Sequence, residues 1–458
     1  MTEAEVSLRE RVKEPPSAAL VESYYRPAVG RALAQVFDHE IWAHCAHALM
    51  LERQGIVGRE AIAAVLGAVL ELAERGPEAL RALADLRGTV LALAERHAAV
   101  VMPGYTHAQH AQPVTFGYWL LAVADVLARD HARLAGALAR VDLCPLGAGA
   151  LTTTAFPLDR ALTADLLGFA APLEIAYDAV SSRDDALEAA GAMAVLATFL
   201  SRLATDLYAW STWEYGFVEL ADRHSAVSSI MPQKKNPVAL EHIRAAAAIV
   251  QGALASALGC AKNTPFADVN DAVTAVNEPV MDAALRMRRI LTLANEVLEG
   301  LTLRPERMAR AAAEGFGSAT ELADVIVRET GMSFRMAHNV VATVVREAVE
   351  AGRSAEVIRS ADLDAAAQAL FGRRLGLSEE AVAQALDPAR NVAVRTVLGG
   401  PAPANMAAMG AARRRALEED RAAIAAFAAR IGDARARCFA QAREMAQSGR
   451  ITSGQASS

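Results

Sequence analysis

The sequence predicts an all-α protein built on long helices, and three observations carry that expectation. Proline breaks a helix interior by removing a hydrogen bond and clashing with the preceding turn, and no proline falls in 114–144, 173–231, 238–264 or 280–304. Inside those stretches apolar residues recur at steps of three, four and seven. One stripe holds Trp119, Leu120, Val123, Val126, Leu127, Leu134 and Leu138, and another holds Val195, Leu196, Phe199, Leu200, Leu203, Leu207 and Trp210. Period-two patterns of useful length, the signal of a half-buried strand, are nearly absent. A helix of about 30 residues is about 45 Å long, longer than a compact domain is wide, so the expected arrangement is a bundle of parallel rods.

Taken in chain order, the spacing predicts a small N-terminal helical domain over 1–75 and a central long-helix domain over 76–317. A C-terminal helical domain follows over 318–458, its Ser- and Gly-rich tail after Gln447 expected to be disordered. Pro305, Gly315 and Gly317 mark the second junction. The apolar stripes are wide for a single chain to cover, which predicts helix packing between subunits and hence a homo-oligomer. His44 and His47 stand three apart on the first predicted helix, with His39 nearby, but no carboxylate or further histidine at suitable spacing completes a ligand set, so no metal is expected there.

Composition narrows the partners. A net charge of -7 on 458 residues is mild and suggests neither a nucleic-acid nor a membrane-surface partner, leaving a small molecule. The apolar run from Ala190 to Leu207 is interrupted by Ser201 and Arg202, which argues against a membrane span. Cys45, Cys144, Cys260 and Cys438 are too scattered for a zinc site or a disulfide framework, and the first residues lack the uninterrupted apolar stretch of an export signal; both point to the cytoplasm. There is no glycine-rich dinucleotide fingerprint and no phosphate-binding loop, so no cofactor is expected.

Chemistry concentrates in one run, Ser225-Ala-Val-Ser-Ser-Ile-Met-Pro-Gln-Lys-Lys-Asn-Pro237. The chain has only four lysines, at 13, 234, 235 and 262, so an adjacent pair amid many arginines is unlike the background. Pro232 and Pro237 bar a helix, and Ser225, Ser228, Ser229 and Asn236 favour local hydrogen bonds, which predicts an ordered loop. A second constrained segment puts Thr106-His107 between Pro103-Gly104 and Pro113, at the entry to a long helix. An imidazole there can donate to a carboxylate or pass a proton near neutral pH.

Ser228-Ser-Ile-Met-Pro-Gln-Lys-Lys-Asn-Pro237 resembles the signature loop of the fumarase/aspartase superfamily. Met102-Pro-Gly-Tyr-Thr-His-Ala-Gln-His-Ala-Gln-Pro113 resembles its argininosuccinate lyase branch, as do Pro145–Ala150, Phe156–Arg160, Asp178–Asp184, Ala319–Asp324, Phe334–His338 and Gly399–Pro403. The resemblance covers roughly residues 28 to 415. It implies a tetramer on a shared central bundle, with each active site assembled from three subunits, and elimination of an amine from a succinyl skeleton to leave fumarate. It also implies Ser228 as general base, with Lys234 and Asn236 holding the carboxylate, His107 and Thr106 in the pocket, and Ser229, Gln233 and Asn270 on the substrate.

The chain departs from that family in places. A Gly-Arg-Ser-Arg-Asn-Asp-like segment that clamps substrate carboxylates in relatives has no counterpart in 57–101. Val227 stands where relatives carry glycine, His110 where they often carry arginine, and Val269, Thr274 and Asn277 where they carry Tyr, Gln and Lys against argininosuccinate. No role is assigned to His110. Three readings follow: an argininosuccinate lyase yielding arginine and fumarate, a lyase of the same chemistry on another N-substituted aspartate, and a non-catalytic structural homologue.

Overall fold

The structure, a computed structural model, describes residues 37–59, 61–62, 66 and 79–455. Most of the expected 1–75 domain, and residues 60, 63–65 and 67–78 of the 57–101 region where the clamp has no counterpart, therefore lie outside the described residues. The chain forms two compact units, neither of them one continuous stretch: Met1–Pro77, Asp142–Ser182 and Phe427–Ser458 make one, and Glu78–Val141 with Arg183–Ala426 make the other.

In the larger unit the proline-free stretches are helices, Phe116–Val141, Asp184–Trp210, Val238–Ala261 and Asn277–Glu299, joined by Ala79–Arg96. They pack as a five-helix bundle, Val238–Ala261 lying against Asp184–Trp210 and Asn277–Glu299, and Ala79–Arg96 against Phe116–Val141 and Asn277–Glu299. The predicted stripes face inward: Leu120, Leu127, Leu196 and Leu200 are fully buried, with Leu240, Ile243, Met287 and Leu291 beside them. Burying each such side chain stabilises the bundle by about 1.5–3 kcal/mol. Truncating one, as in Leu200→Ala, should cost about 2–5 kcal/mol because the cavity refills only in part. Asp184–Trp210 and Val238–Ala261 are long and apolar enough to cross a membrane, but both pack in this bundle; of the most apolar stretch of Val238–Ala261 only 22% is buried.

A second core in the same unit joins the helices Ala319–Thr330, Phe334–Glu350, Ser360–Phe371 and Glu379–Leu386 through Leu322, Ile326, Val340, Val344 and Leu363. Glu321 is buried beside it, hydrogen-bonded to Arg328 at 2.6 Å and ion-paired with Arg395 at 3.0 Å. A buried carboxylate without such partners would be strongly destabilising.

The smaller unit packs Phe37–Arg53, Arg160–Leu166 and the end of the C-terminal helix round Trp42, Cys45, Leu49, Leu166, Cys438 and Phe439. The Trp42 indole donates to the Leu166 carbonyl at 2.9 Å. Burial pushes the Cys45 thiol up to about 11 and the Cys438 thiol up to about 12, so both behave as small apolar side chains rather than nucleophiles.

Two features differ from expectation. The C-terminal helix, Pro403–Gln455, runs past Gln447, where composition predicts disorder, because lengthening an existing helix gains one hydrogen bond for each residue fixed. Strands also occur, the longest pair being Val101–Thr106 and Gln109–Thr115, an antiparallel hairpin. Its prolines hid it from pattern reading, since proline is normally confined to strand edges and bulges. Here Pro103 opposes Pro113, and the register shifts between Pro103 and Tyr105.

Candidate active site

The hairpin turns through two residues, with Thr106 paired to Gln109 and His107 and Ala108 at the tip. Both tip residues are left-handed, with φ of 53° and 58°. Positive φ at both central positions is the turn whose twist matches a hairpin, and Asn-Gly is its usual sequence. Side chains with a Cβ cost about 1–2 kcal/mol per residue there. Surrounding contacts hold that strain. Gly104 makes the bulge possible, since a Cβ on it would lie 2.5 Å from the Gln112 carbonyl oxygen. Thr115, at the end of the hairpin, accepts the Tyr118 amide at 3.0 Å and so caps the Phe116–Val141 helix. His107 and Thr106 are exposed.

The signature loop is closed at its base by a ladder of two residue pairs, Ala226 with Asn236 and Val227 with Lys235. Ser228 follows one strand and Lys234 precedes the other, so the ladder brings these two together at the neck of the loop. The Ser228 hydroxyl oxygen accepts the Met231 amide at 3.0 Å and the Ile230 amide at 3.3 Å. Two N–H dipoles aimed at one oxygen favour its anionic form.

The two lysines have different fates. Lys235 reaches Asp222 at 2.7 Å and Glu219 at 3.0 Å, and Arg304 holds the other oxygen of Glu219 at 2.7 Å. The Asp222 hydrogen bond, followed by that of Glu219, raises the Lys235 ammonium above its ordinary value, while Arg304 and then Lys235 hold the Glu219 carboxyl below the usual carboxylate range. Lys234 is exposed and forms no ion pair among the described residues. Its ammonium is thus available to an anion, whereas that of Lys235 is committed to the fold.

Asn236 sits in the ladder immediately before the Val238–Ala261 helix, whose first-turn amides carry partial positive charge. Ser229 and Gln233 are exposed on the loop. Asn270, also exposed, opens a short helical turn, Asn270–Val273, and its carbonyl accepts the Thr274 and Ala275 amides at 2.9 and 3.1 Å. Within one chain, no hydrogen bond or ion pair among the described residues joins Thr106 or His107 to Ser228, Lys234 or Asn236. The hairpin and the loop are separate platforms.

Sequence reasoning missed the surroundings of the hairpin. A cavity of about 790 Å³ lies beside the tip, lined by Tyr105, Gln109, His110, Tyr215, Arg310 and Glu314 among others, and by no residue of the signature loop. Arg307 forms part of its wall but is bound to carbonyls, donating to Tyr215, Trp213 and Glu214. These residues come from well-separated parts of the chain, and only folding reveals them as one wall.

Comparisons with known proteins bear on the family and the fold. A lyase family model matches residues 67–252, and a model of the argininosuccinate lyase C-terminal region matches 316–393. Argininosuccinate lyase 1 of Shouchella clausii is 33% identical over 452 residues, covering 87% of this chain and 91% of its own length. An argininosuccinate lyase of Chelativorans is 49% identical over 188 residues, 41% of this chain and 40% of its own. Among solved structures, an EDDS lyase variant with bound fumarate superposes with a TM-score of 0.86 at 29% identity, covering 97% of this chain and 99% of that one. EDDS lyase in complex with formate gives 0.86 at 30%, covering 95% and 97%. The match to the Shouchella protein over nearly the whole chain, together with the signature loop and the shared fold, makes this chain an argininosuccinate lyase-like member of the fumarase/aspartase lyase superfamily.

Proposed function

We propose that this chain is a carbon–nitrogen lyase that eliminates an amine from an N-substituted aspartate to give fumarate, with argininosuccinate as the first substrate to test. One observation carries the reading: a serine oxygen that accepts two backbone amides stands at the neck of a loop beside a lysine that has no ion partner among the described residues. Elimination needs a base for a weakly acidic C–H beside a carboxylate, and concentrated positive charge for the enolate-like dianion that results. Ser228 supplies the base as an alkoxide favoured by the Ile230 and Met231 amides, and Lys234 and Asn236 hold the carboxylate on which charge develops. The carbon–nitrogen bond then breaks, and His107 delivers a proton to the departing amine while Thr106 binds substrate. Ser229, Gln233 and Asn270 complete the contacts.

Because hairpin and loop are separate platforms in one chain, the site is composite in this reading, closed by other copies in a homotetramer. Two features support that. Of the most apolar stretch of the Val238–Ala261 helix only 22% is buried in the single chain, and Val227 and Ile230, on the signature loop itself, are 85% and 86% exposed. Apolar side chains so placed call for a partner surface. The chemistry draws on serine, lysine and histidine and requires no cofactor, and the reaction is assigned to the cytoplasm.

A second substrate is favoured by Val269, Thr274 and Asn277, which stand where argininosuccinate lyases carry Tyr, Gln and Lys. An amine arm less polar than that of argininosuccinate suits such a set. Purified protein incubated with argininosuccinate and with a panel of N-substituted aspartates, followed by fumarate absorbance, separates the readings. Fumarate from argininosuccinate supports the first, fumarate from the panel alone supports the second, and fumarate from neither defeats the proposal in favour of a non-catalytic homologue.

A further inference from the structure

We propose that His110 is a positioning residue, holding the His107–Ala108 tip in its left-handed turn through a cradle formed by Tyr105, Tyr215 and the bare backbone of Gly315. The inference rests on the lyase reading above for its effect on turnover, but its geometric claim is independent of that reading.

Four observations converge on it. The tip is strained at two consecutive side-chain-bearing residues, so something outside the turn must keep it there. His110 is the cross-strand partner of Tyr105, one step from the Thr106–Gln109 pair that closes the turn. Their rings meet edge to face, with centroids 5.2 Å apart at 81°, and the Tyr105 hydroxyl lies 3.4 Å from the His110 Nε2. Tyr215 packs on Tyr105 at 5.9 Å and 65°, itself set edge-on to Phe217. This ties the hairpin to the 212–217 turn, which the Arg307 guanidinium fastens through three carbonyls.

On its far side the imidazole fits against Gly315. A Cβ there would stand 2.3 Å from the His110 Nδ1, with two more ring atoms at 3.2 and 3.3 Å. The φ of Gly315 is negative, at −76°, so backbone freedom does not require glycine at this position, and room for the ring does. Next along, Gly317 takes the same hairpin strand closely, since a Cβ on it would lie 2.2 Å from the Ala111 carbonyl oxygen. The ring therefore cannot move toward the Pro305–Glu314 helix, and the Tyr105 face stops it on the other side. Cross-strand aromatic pairs of this kind stabilise a hairpin at the positions they join.

The test is a double-mutant cycle read two ways. One readout is amide hydrogen exchange at 106–109, and the other is the split of fumarate release into kcat and KM. His110→Ala is expected to speed exchange at the tip and lower kcat on the order of 10-fold with KM changed less than about 2-fold, as befits a displaced catalytic group. His110→Phe, which keeps the edge contact, should recover most of that loss. Gly315→Ala should reproduce the His110→Ala effects in the otherwise unchanged protein and have no further effect in His110→Ala, because the ring it would strike is gone. Additive effects of the two substitutions, or unchanged exchange at 106–109 in His110→Ala, would overturn the proposal. If the unchanged protein releases no fumarate, the lyase reading fails, and the exchange cycle alone still decides the role of His110.

Discussion

The hairpin that carries His107 and the loop that carries Ser228 are built by opposite means. The hairpin has a ladder of five residue pairs, a glycine bulge, an aromatic brace and two glycines that let neighbouring backbone close in. It spends that packing on holding a turn its own residues disfavour. The loop has two ladder pairs, no apolar cover, and an ion-pair latch at its base. One segment keeps a fixed shape at a local energetic cost, and the other keeps its working groups together while leaving its crest free to be covered. A site that must exclude water yet admit substrate needs both kinds of element.

The comparison breaks or sharpens at several residues. The largest effect is expected at Ser228: Ser228→Ala should lower turnover by at least 10² to 10⁴-fold, the usual range of general-base assistance, with an unchanged circular dichroism spectrum and melting temperature. A variant keeping most of its activity would remove the serine from the mechanism and leave the loop a mere cover. Lys234→Met comes next, with a loss of about 10²-fold expressed in both kcat and KM, since a charge-assisted contact worth roughly 1.5–3 kcal/mol goes with it. Equal losses at Lys234 and Lys235 would erase the distinction drawn between them.

Smaller effects probe the strain and the latch. Ala108→Gly should raise hairpin stability by about 1 kcal/mol by releasing the left-handed penalty, measured by chemical denaturation, while kcat falls a few-fold as the tip loosens. Lys235→Met is the mildest. Exposed ion pairs are worth about 0–1 kcal/mol each, so kcat should drop only a few-fold. Rate measurements in rising salt should show the unchanged protein approaching the variant as the latch is screened.

Much of this was legible in the residues, and the limits of legibility have physical causes. Helices are local, so absent prolines and apolar spacing located Phe116–Val141, Asp184–Trp210, Val238–Ala261 and Asn277–Glu299. The signature loop was legible because ten consecutive residues carry it. The hairpin was not: His-Ala is not the sequence its turn prefers, and Pro103 and Pro113 argue against strands, so tertiary packing overrode local preference. Nor could the sequence assign a place to His110, whose fit depends on the missing side chain at Gly315, far along the chain. The three consecutive segments drawn from proline and glycine placement and the two interleaved compact units divide the chain by different criteria, one local and one spatial.

The cysteines lead to something practical. Cys45, Cys144 and Cys438 are sealed away, their thiols raised by burial, and Cys260 alone among the four is half open, near the end of Val238–Ala261. A maleimide dye would therefore label the native protein at a single point, on a rod whose most apolar stretch is only 22% buried in the isolated chain. Fluorescence from that one point would decide whether copies of the chain associate.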